Sequence, residues 1–362
     1  MPRCKPSGKN ISVSHRINVQ LIDTATPRAS SPRPSKRAWV TFNLIFRKCA
    51  KVAFIPVRSK KDCGVNVLCI LRSPKCAEGV QGVSTRKVSA IIEALCGSAV
   101  SSTQVSRASK LLDEVLEQWR DRPLGECRYL FLDARYEKIR DNGQIRDVAV
   151  LIAAGLTPNG KRQIVGVSVS LSEHEVHWRT FLQQLVARGL CGVQLIISDA
   201  HEGLKAARQA IFGGVLWQRC QFHLQQNAQA YVPRQELRAE VAADIRTIFN
   251  APDRPTAENY LTRTLQKYSK SAPRLTTWLE SNLPEGFTIF GFPKSHQRRL
   301  RTVNVLERAN REIERRTRVV SIFPNESSCL RLISALLMEL DESWQMGRIY
   351  LNLDEGTVNS SS

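Results

Sequence analysis

Hydrophobic positions recur at helical spacing across residues 83–119. Ser84 can cap a first helix, and Gly97 can end it. Ser101 then opens a capping box that begins a second helix. The second helix is predicted to bury one face, formed by Val105, Ala108, Leu111, Leu112 and Val115. The pattern therefore predicts two helices joined by a turn.

A helix-turn-helix can place its second helix in the major groove of DNA. The polar side chains of this second helix, Gln104, Arg107 and Lys110, are predicted to point outward. Together with Arg86 of the first helix, they are candidate DNA contacts. An ordinary helical hairpin is the alternative interpretation.

After Pro123 the pattern changes to that of an α/β domain. Residues 128–139, 147–156 and 162–170 are predicted strands, and the turn pair Asn159-Gly160 indicates an antiparallel meander. A helix at 175–188, a strand at 193–197, a helix at 203–211, a strand at 215–218 and a helix at 223–231 follow. Three antiparallel strands followed by parallel βα units is the order of a ribonuclease H-like domain, although other α/β folds remain possible.

The helical pattern of residues 234–282 predicts an insertion into this domain, and helical spacing resumes at 303–318 and 327–340. We divide the chain into residues 1–76, a basic segment; 77–122, the helix-turn-helix region; 123–232, the first part of the α/β core; 233–300, the mainly helical insertion; 301–353, the rest of the core; and 354–362, a tail.

The net charge of +20 favours a polyanionic partner, because a polycation gains free energy by displacing counterions from phosphates. Residues 1–76 hold sixteen of the basic residues and only two acids, so they account for +14 of that charge. They also lack Glu and show no sustained periodicity. We expect a disordered or poorly packed segment there, translated from a shifted or alternative frame rather than forming a native domain.

No apolar run approaches the ~20 residues that cross a bilayer, and the basic N-terminus is followed by no apolar segment with a cleavage site. The sequence therefore favours a soluble, cytoplasmic protein without a membrane partner.

Two aspartates occupy positions typical of a metal-dependent active site. Asp133 lies inside the first predicted strand, and Asp199 follows the fourth, at the edge where open α/β sheets place their ligands. The first and fourth strands are neighbours in a ribonuclease H-like sheet, so the two side chains should be adjacent. Taken singly, each Asp is more often a helix cap or a turn residue.

A third carboxylate is expected from a helix packed on that edge. Glu307, Asn310, Arg311 and Glu314 share one helical face, and Arg308 and Arg315 supply cations for phosphates. The alternative is a solvated helix with Glu/Arg pairs, which periodicity alone favours.

Several segments resemble the Mutator-type transposases of bacterial insertion sequences. They are LDARYEK at 132–138, ISDAHEGLKAA at 197–207, WQRCQFHLQQN at 217–227 and NVLERANREIERRT at 304–317, preceded by STRKV at 84–88, SSTQVSR at 101–107 and WRDRPL at 119–124. The resemblance covers residues 80–353 in one order. Residues 1–76 do not share it.

The resemblance implies a DDE transposase whose acids are Asp133, Asp199 and Glu307, holding two Mg²⁺ or Mn²⁺ ions. Glu307 is preferred over Glu312 and Glu314 because it occupies the acid of the family's Asn-x-x-Glu-Arg pattern. Cys220 and His223 match a Cys-x-x-His pattern of the family. They would help to orient DNA or phosphate, although a packed Cys beside a hydrogen-bonded His is the simpler explanation.

The implied reaction is metal-dependent strand cleavage at transposon ends, followed by strand transfer into target DNA. The expected partners are the terminal inverted repeats, the target DNA and further copies of the chain, at least as a dimer. The alternatives are a catalytically impaired, transposase-derived DNA-binding protein and a ribonuclease H-like nuclease of repair or recombination.

Overall fold

A computed structural model describes residues 102–353, which form a five-stranded sheet with helices on both faces. In chain order, the helices and strands are α1 (Ser102–Asp121), β1 (Tyr129–Asp141), β2 (Gln144–Leu156), β3 (Arg162–Ser170), α2 (Glu175–Ala187), β4 (Leu195–Ser198), α3 (Glu202–Phe212), β5 (Leu216–Arg219), α4 (Gln221–Ala228), α5 (Leu237–Phe249), α6 (Arg254–Tyr268), α7 (Pro273–Asn282), α8 (Lys294–Leu300), α9 (Asn304–Val320) and α10 (Glu326–Met346). Short 3₁₀ turns follow α4 and α7.

The first helix of the predicted helix-turn-helix, with Arg86, lies outside the described residues. So do the basic segment 1–76 and the tail 354–362.

The strand order is β3-β2-β1-β4-β5. The pairs β1–β2 and β2–β3 are antiparallel, which confirms the predicted meander. The pairs β1–β4 and β4–β5 are parallel, so the first and fourth strands are neighbours as expected.

The β1–β2 hairpin is longer than the sequence pattern suggested. Asn142 and Gly143 both have positive φ, 48° and 81°, and they join the strands in a two-residue turn. Because of this turn, β1 continues to Asp141 and β2 begins at Gln144. The predicted strand limits at 139 and 147 were therefore wrong.

Side chains alternate between the two faces of the central strands. On β1, Tyr129 and Phe131 join a core formed with α8, α9 and α10, whereas Leu130 and Leu132 join a core formed with α2 and α3. The sheet is thus covered on both sides, which explains why its central strands read as nearly continuous apolar runs.

Helices α4 to α7 enclose a separate apolar cluster, in which Leu224 of α4, Ile245 of α5, Leu261 of α6 and Leu275 of α7 are buried. The predicted helical pattern of residues 234–282 is confirmed, with breaks before Pro255 and Pro273. None of the helices in residues 102–353 has the length and apolarity that a bilayer crossing requires.

Helix α1 packs against α10 through Leu112 and Leu116. Leu111 was expected on the buried face, but it is 43% exposed, so that assignment was wrong. The buried stripe instead follows Leu112, Val115, Leu116 and Trp119, because the helix docks on α10 along that side. Arg107 and Lys110 are exposed, as predicted.

Candidate active site

Strand register brings Asp133 and Asp199 together. Tyr129 lies opposite Leu195 and Phe131 lies opposite Ile197 in the parallel pair β1–β4. The same register, continued past the last pair, places Asp133 opposite Asp199. Alternation along each strand directs both residues to the face that carries α9, since Phe131 and Ile197 lie in the core on that side.

Helix α9 lies across this face with Leu306, Ala309 and Ile313 buried in the core. Asn310, which follows Ala309, reaches the first aspartate: its Nδ2 donates a hydrogen bond to Asp133 Oδ2 at 2.7 Å. Glu307 lies one turn before Asn310 and is partly buried, whereas Glu314 is exposed. The helix therefore presents Glu307, and not Glu314, to the two aspartates.

Asp133 is partly buried and lies within range of the charges of three other acids. The pKa of Asp133 is raised from 3.8 to about 7. Burial is the largest cause, a hydrogen bond from the Ala134 backbone opposes it, and the negative charges of Asp199, Glu307 and Glu173 add to the rise. Negative charges that act on one another in this way favour either the uptake of a proton by Asp133 or the binding of a cation.

Three polar atoms around the acids lack partners. Within residues 102–353, Glu307 Oε1, Asn310 Oδ1 and His223 Nδ1 are buried without a hydrogen bond. His223 Nδ1 also lies 4.0 Å from Asp199 Oδ1. Buried polar atoms are normally paired, so these atoms leave hydrogen-bonding or ligand capacity for another group.

The carboxylates do not form a closed ligand set. In the part of the chain that the structure describes, no group of three or more His, Cys, Asp or Glu side chains lies close enough together to hold a metal ion. Mg²⁺ commonly binds one or two carboxylates, with water and substrate oxygens completing its shell. The donors present here are oxygens of the type that such hard cations prefer.

Cys220 and His223 flank the same region from the start of α4. Cys220 is a fully buried free thiol, and burial raises its pKa to about 11, so it stays protonated near neutral pH. Its backbone N–H donates to the carbonyl of Ser198, the residue before Asp199, at 2.8 Å. Cys220 is thus packed in the way the simpler explanation predicts, whereas His223 is partly exposed beside Asp199.

The structure adds Glu173 to the neighbourhood of the acids. Its side chain is only 13% exposed and lies 4.0 Å from the His201 ring, and its charge contributes to raising the pKa of Tyr136, after burial. Gly203 permits this arrangement, since a Cβ there would lie 2.2 Å from the Glu173 carbonyl oxygen. No periodicity signals Glu173, because it lies in the loop between β3 and α2.

Strand β1 and helix α9 are also joined beyond the acids. Arg135 donates to the Asn310 carbonyl oxygen and forms an ion pair with Glu137 at 2.7 Å. Thr317 donates to the same Glu137 carboxylate at 3.1 Å. The helix that carries Glu307 is therefore fixed to the strand that carries Asp133 over two further turns.

The predicted DNA contacts on α9 differ in their environments. Arg308 and Arg311 are exposed. Arg315 is also exposed, but its guanidinium makes two hydrogen bonds to the Glu312 carboxylate, at 2.7 and 3.0 Å. Gln104 lies on α1, and Arg86 is outside the described residues.

Comparison with known proteins identifies the family. Residues 77–347 match the model of a family described as "Transposase, Mutator family". The chain belongs to this family.

The relatives are insertion-sequence transposases. The chain is 58% identical over 277 residues to the transposase for insertion sequence element IS406 of Burkholderia multivorans, covering 76% of this chain and 71% of the relative. It is 44% identical to the ISRM5 transposase of Rhizobium meliloti, covering 76% and 69% of the two chains. It is 38% identical to the IS256 transposase in transposon Tn4001 of Staphylococcus aureus, covering 76% and 72%.

Among solved structures, a chain of the simian T-cell lymphotropic virus intasome in complex with PP2A regulatory subunit B56 gamma aligns with 55% of this chain and 68% of its own length. The identity is 12% and the TM-score is 0.20, which is too low to bear on the fold.

Proposed function

We propose that this chain cleaves DNA strands at the ends of its insertion sequence and transfers them into target DNA, with Asp133, Asp199 and Glu307 as its catalytic acids. The observation that carries the proposal is the hydrogen bond from Asn310 to Asp133, since Asn310 lies one turn after Glu307 on α9 and Asp133 lies on the strand that pairs with the strand before Asp199.

The strand order supports a ribonuclease H-like catalytic domain, since three antiparallel strands are followed by two parallel ones. The separate core of α4 to α7 supports a helical insertion between the second and third acids. The exposed Arg107 and Lys110 support a DNA-binding role for α1 as part of a helix-turn-helix.

Asp133, Asp199 and Glu307 would hold two Mg²⁺ or Mn²⁺ ions. The raised pKa of Asp133 and the unpaired Glu307 Oε1 support a cation at this position, because a cation would relieve the repulsion among the acids and pair the orphaned oxygen. Such ions activate a nucleophilic oxygen and stabilise a leaving oxygen in phosphodiester chemistry.

The protein's own residues position the acids and the DNA. Asn310 fixes the Asp133 carboxylate through its amide N–H. His223, beside Asp199, is placed to donate a hydrogen bond to that acid or to a phosphate oxygen. The exposed Arg308 and Arg311 lie on the helix of Glu307 and would bind backbone phosphates.

Two chemically similar steps follow. Water attacks a phosphodiester at the transposon end, so that one P–O bond forms, the P–O bond to the 3′ oxygen breaks and a 3′-hydroxyl is released. That hydroxyl attacks a target phosphodiester in line and displaces its 3′ oxygen. Each step exchanges one P–O bond for another and requires neither ATP nor a covalent enzyme intermediate.

The test uses the purified full chain with Mg²⁺ and DNA that contains the ends of its own insertion sequence. Asp133→Asn, Asp199→Asn and Glu307→Gln should each abolish cleavage and leave end binding largely intact. Glu314→Gln is the matched control, since it neutralises an exposed acid on the same helix and should cleave normally.

Normal cleavage by Asp133→Asn would overturn the assignment of the acids. End binding by the unmodified chain without cleavage in either Mg²⁺ or Mn²⁺ would instead identify a catalytically impaired DNA-binding protein. Sedimentation of the complex with end DNA would test the expected dimer.

A further inference from the structure

Two arginines stack on one tyrosine near the C-terminal end of the described chain, and the charge of a third acts on it. The guanidinium carbon of Arg162 lies 4.8 Å from the centre of the Tyr350 ring, and that of Arg299 also lies 4.8 Å from it. Arg162 is in addition 4.6 Å from the Trp344 ring centre. The positive charge of Arg308 acts on both Arg162 and Tyr350. We call Arg162, Arg299 and Arg308 the arginine cluster.

Tertiary structure builds this cluster from distant segments. The backbone N–H of Tyr350 donates to the Gly160 carbonyl oxygen at 2.9 Å, which fixes the tyrosine on the turn before β3, where Arg162 begins the strand. Arg299 comes from the end of α8. Arg308 follows Glu307 directly on α9, but it is exposed whereas Glu307 is partly buried. The cluster and the candidate active site therefore both draw a side chain from α9, at neighbouring positions of the helix.

The cluster has no compensating acid. Among residues 102–353, none of its three arginines forms an ion pair with a carboxylate. Burial lowers the pKa of Arg162, Tyr350 opposes that shift, and the charges of Arg308 and Arg299 add to the lowering. Stacking on an aromatic ring stabilises a cation by about 0.5–1 kcal/mol at exposed sites, which offsets only part of such repulsion. Three cations gathered in this way form a site suited to an anion.

We propose that the arginine cluster binds a backbone phosphate of the DNA next to the strand presented to the acids. A guanidinium stacked on an aromatic face keeps its N–H edge free, and two N–H groups match two phosphate oxygens. The rings of Tyr350 and Trp344 hold Arg162 in this way, and the Tyr350 ring also stacks against the guanidinium of Arg299. The choice of DNA as the polyanion rests on the proposed function.

The first measurement is the affinity for end DNA as a function of salt concentration, by fluorescence anisotropy. Each neutralised phosphate contributes about 0.9 to the slope of log K against log salt. Arg162→Gln combined with Arg299→Gln should weaken binding and lower the slope by about 1. Arg263→Gln on α6 is the control, because Arg263 is exposed and forms no ion pair among the described residues. The salt dependence of DNA binding by this variant should equal that of the unmodified protein.

The second measurement uses inorganic phosphate without DNA. At matched ionic strength, phosphate should raise the Tm of the unmodified protein above its value in chloride, because a bound anion relieves the repulsion in the cluster. The double variant should lose this rise, and Arg263→Gln should keep it. Tyr350→Leu removes the stacking surface without changing charge, and it should weaken end binding if the geometry of the cluster matters.

An unchanged salt slope in the double variant would overturn the proposal. If the slope were unchanged while the phosphate-dependent rise in Tm was lost, the cluster would take a free anion and not DNA, which also overturns it. Failure of the proposed function has a different signature: the unmodified chain would not cleave DNA, yet the salt slopes would still differ between the double variant and the control.

Discussion

Removing the negative charge of Asp133 should stabilise the metal-free protein while it abolishes cleavage. Burial and three neighbouring acids raise the pKa of Asp133 from 3.8 to about 7. A shift of about 3 units corresponds to about 4 kcal/mol, which is the free energy of unfolding lost when this carboxyl ionises in the folded chain. Asparagine keeps an oxygen that can accept the hydrogen bond from Asn310 but carries no charge.

The pH dependence has a definite sign. The pKa of Asp133 is higher in the folded chain than in the unfolded chain, so between about pH 4 and 7 the folded chain keeps a proton that the unfolded chain has released. The stabilisation from the protonated acid is therefore complete below about pH 4 and is lost as the pH rises through about 7. The unmodified protein should therefore lose stability relative to Asp133→Asn across this window. The contribution of distant acids cancels between the two proteins, so the difference reports Asp133 together with the acids whose charges act on it.

Urea unfolding in EDTA at several pH values measures this difference. We expect Asp133→Asn to be more stable by about 2–4 kcal/mol at pH 8, equivalent to a rise in Tm of roughly 4–16 °C for a domain of this size, and to approach the unmodified protein at low pH. A difference that did not change with pH, or a variant less stable at pH 8, would refute the electrostatic reasoning.

Three further changes test other contacts. Asn310→Ala removes the hydrogen bond to Asp133 and should lower the cleavage rate by roughly 10–100-fold at constant end binding, as losing a partner of a ligand carboxylate does elsewhere. Asp341→Ala leaves the Arg122 guanidinium without its ion pair and should lower the free energy of unfolding by about 3 kcal/mol in urea. Glu173→Gln removes one of the charges near Asp133 and should raise the Mg²⁺ concentration for half-maximal cleavage.

Two of these three variants have a matched control. Glu175→Gln neutralises an acid that is exposed and paired with Arg179, so it should leave the Mg²⁺ requirement unchanged. Asp113→Ala breaks a more exposed ion pair, to Arg331, and should cost less than Asp341→Ala. If Asp113→Ala and Asp341→Ala lowered the free energy of unfolding equally, burial would not be what makes the Arg122–Asp341 ion pair the stronger one. Unchanged cleavage by Asn310→Ala would show that Asp133 needs no support from α9.

The sequence predicted those features that depend on local pattern. The strand at Arg162–Ser170 was predicted at its observed limits, since apolar alternation and a turn before it leave little freedom. Adjacency of β1 and β4 was predicted from strand order, and register then brings Asp133 opposite Asp199. The choice of Glu307 over Glu314 depended on the family resemblance, because both lie on one polar face by periodicity.

Other features depend on contacts between distant segments. Leu111 fits the helical period of α1 but lies on the side that α10 leaves exposed. Glu173 reaches Tyr136 and His201 only because its loop packs against Gly203. Arg162 and Tyr350 meet because the turn at Gly160 receives the C-terminal segment. A periodic pattern records which side of an element is apolar, but not which neighbour covers it.

The junction at Asp341 has a mechanical consequence. Its carboxylate accepts hydrogen bonds from the Trp119 indole, the Arg122 guanidinium and the Ile164 backbone, so α1, the segment after it and the edge strand β3 are attached to α10 at one point. Helix α10 also contacts α9. A rotation of α1 would strain these contacts, so we expect α1 and α10 to move as one body, and a load on α1 to reach the helix of Glu307 through α10.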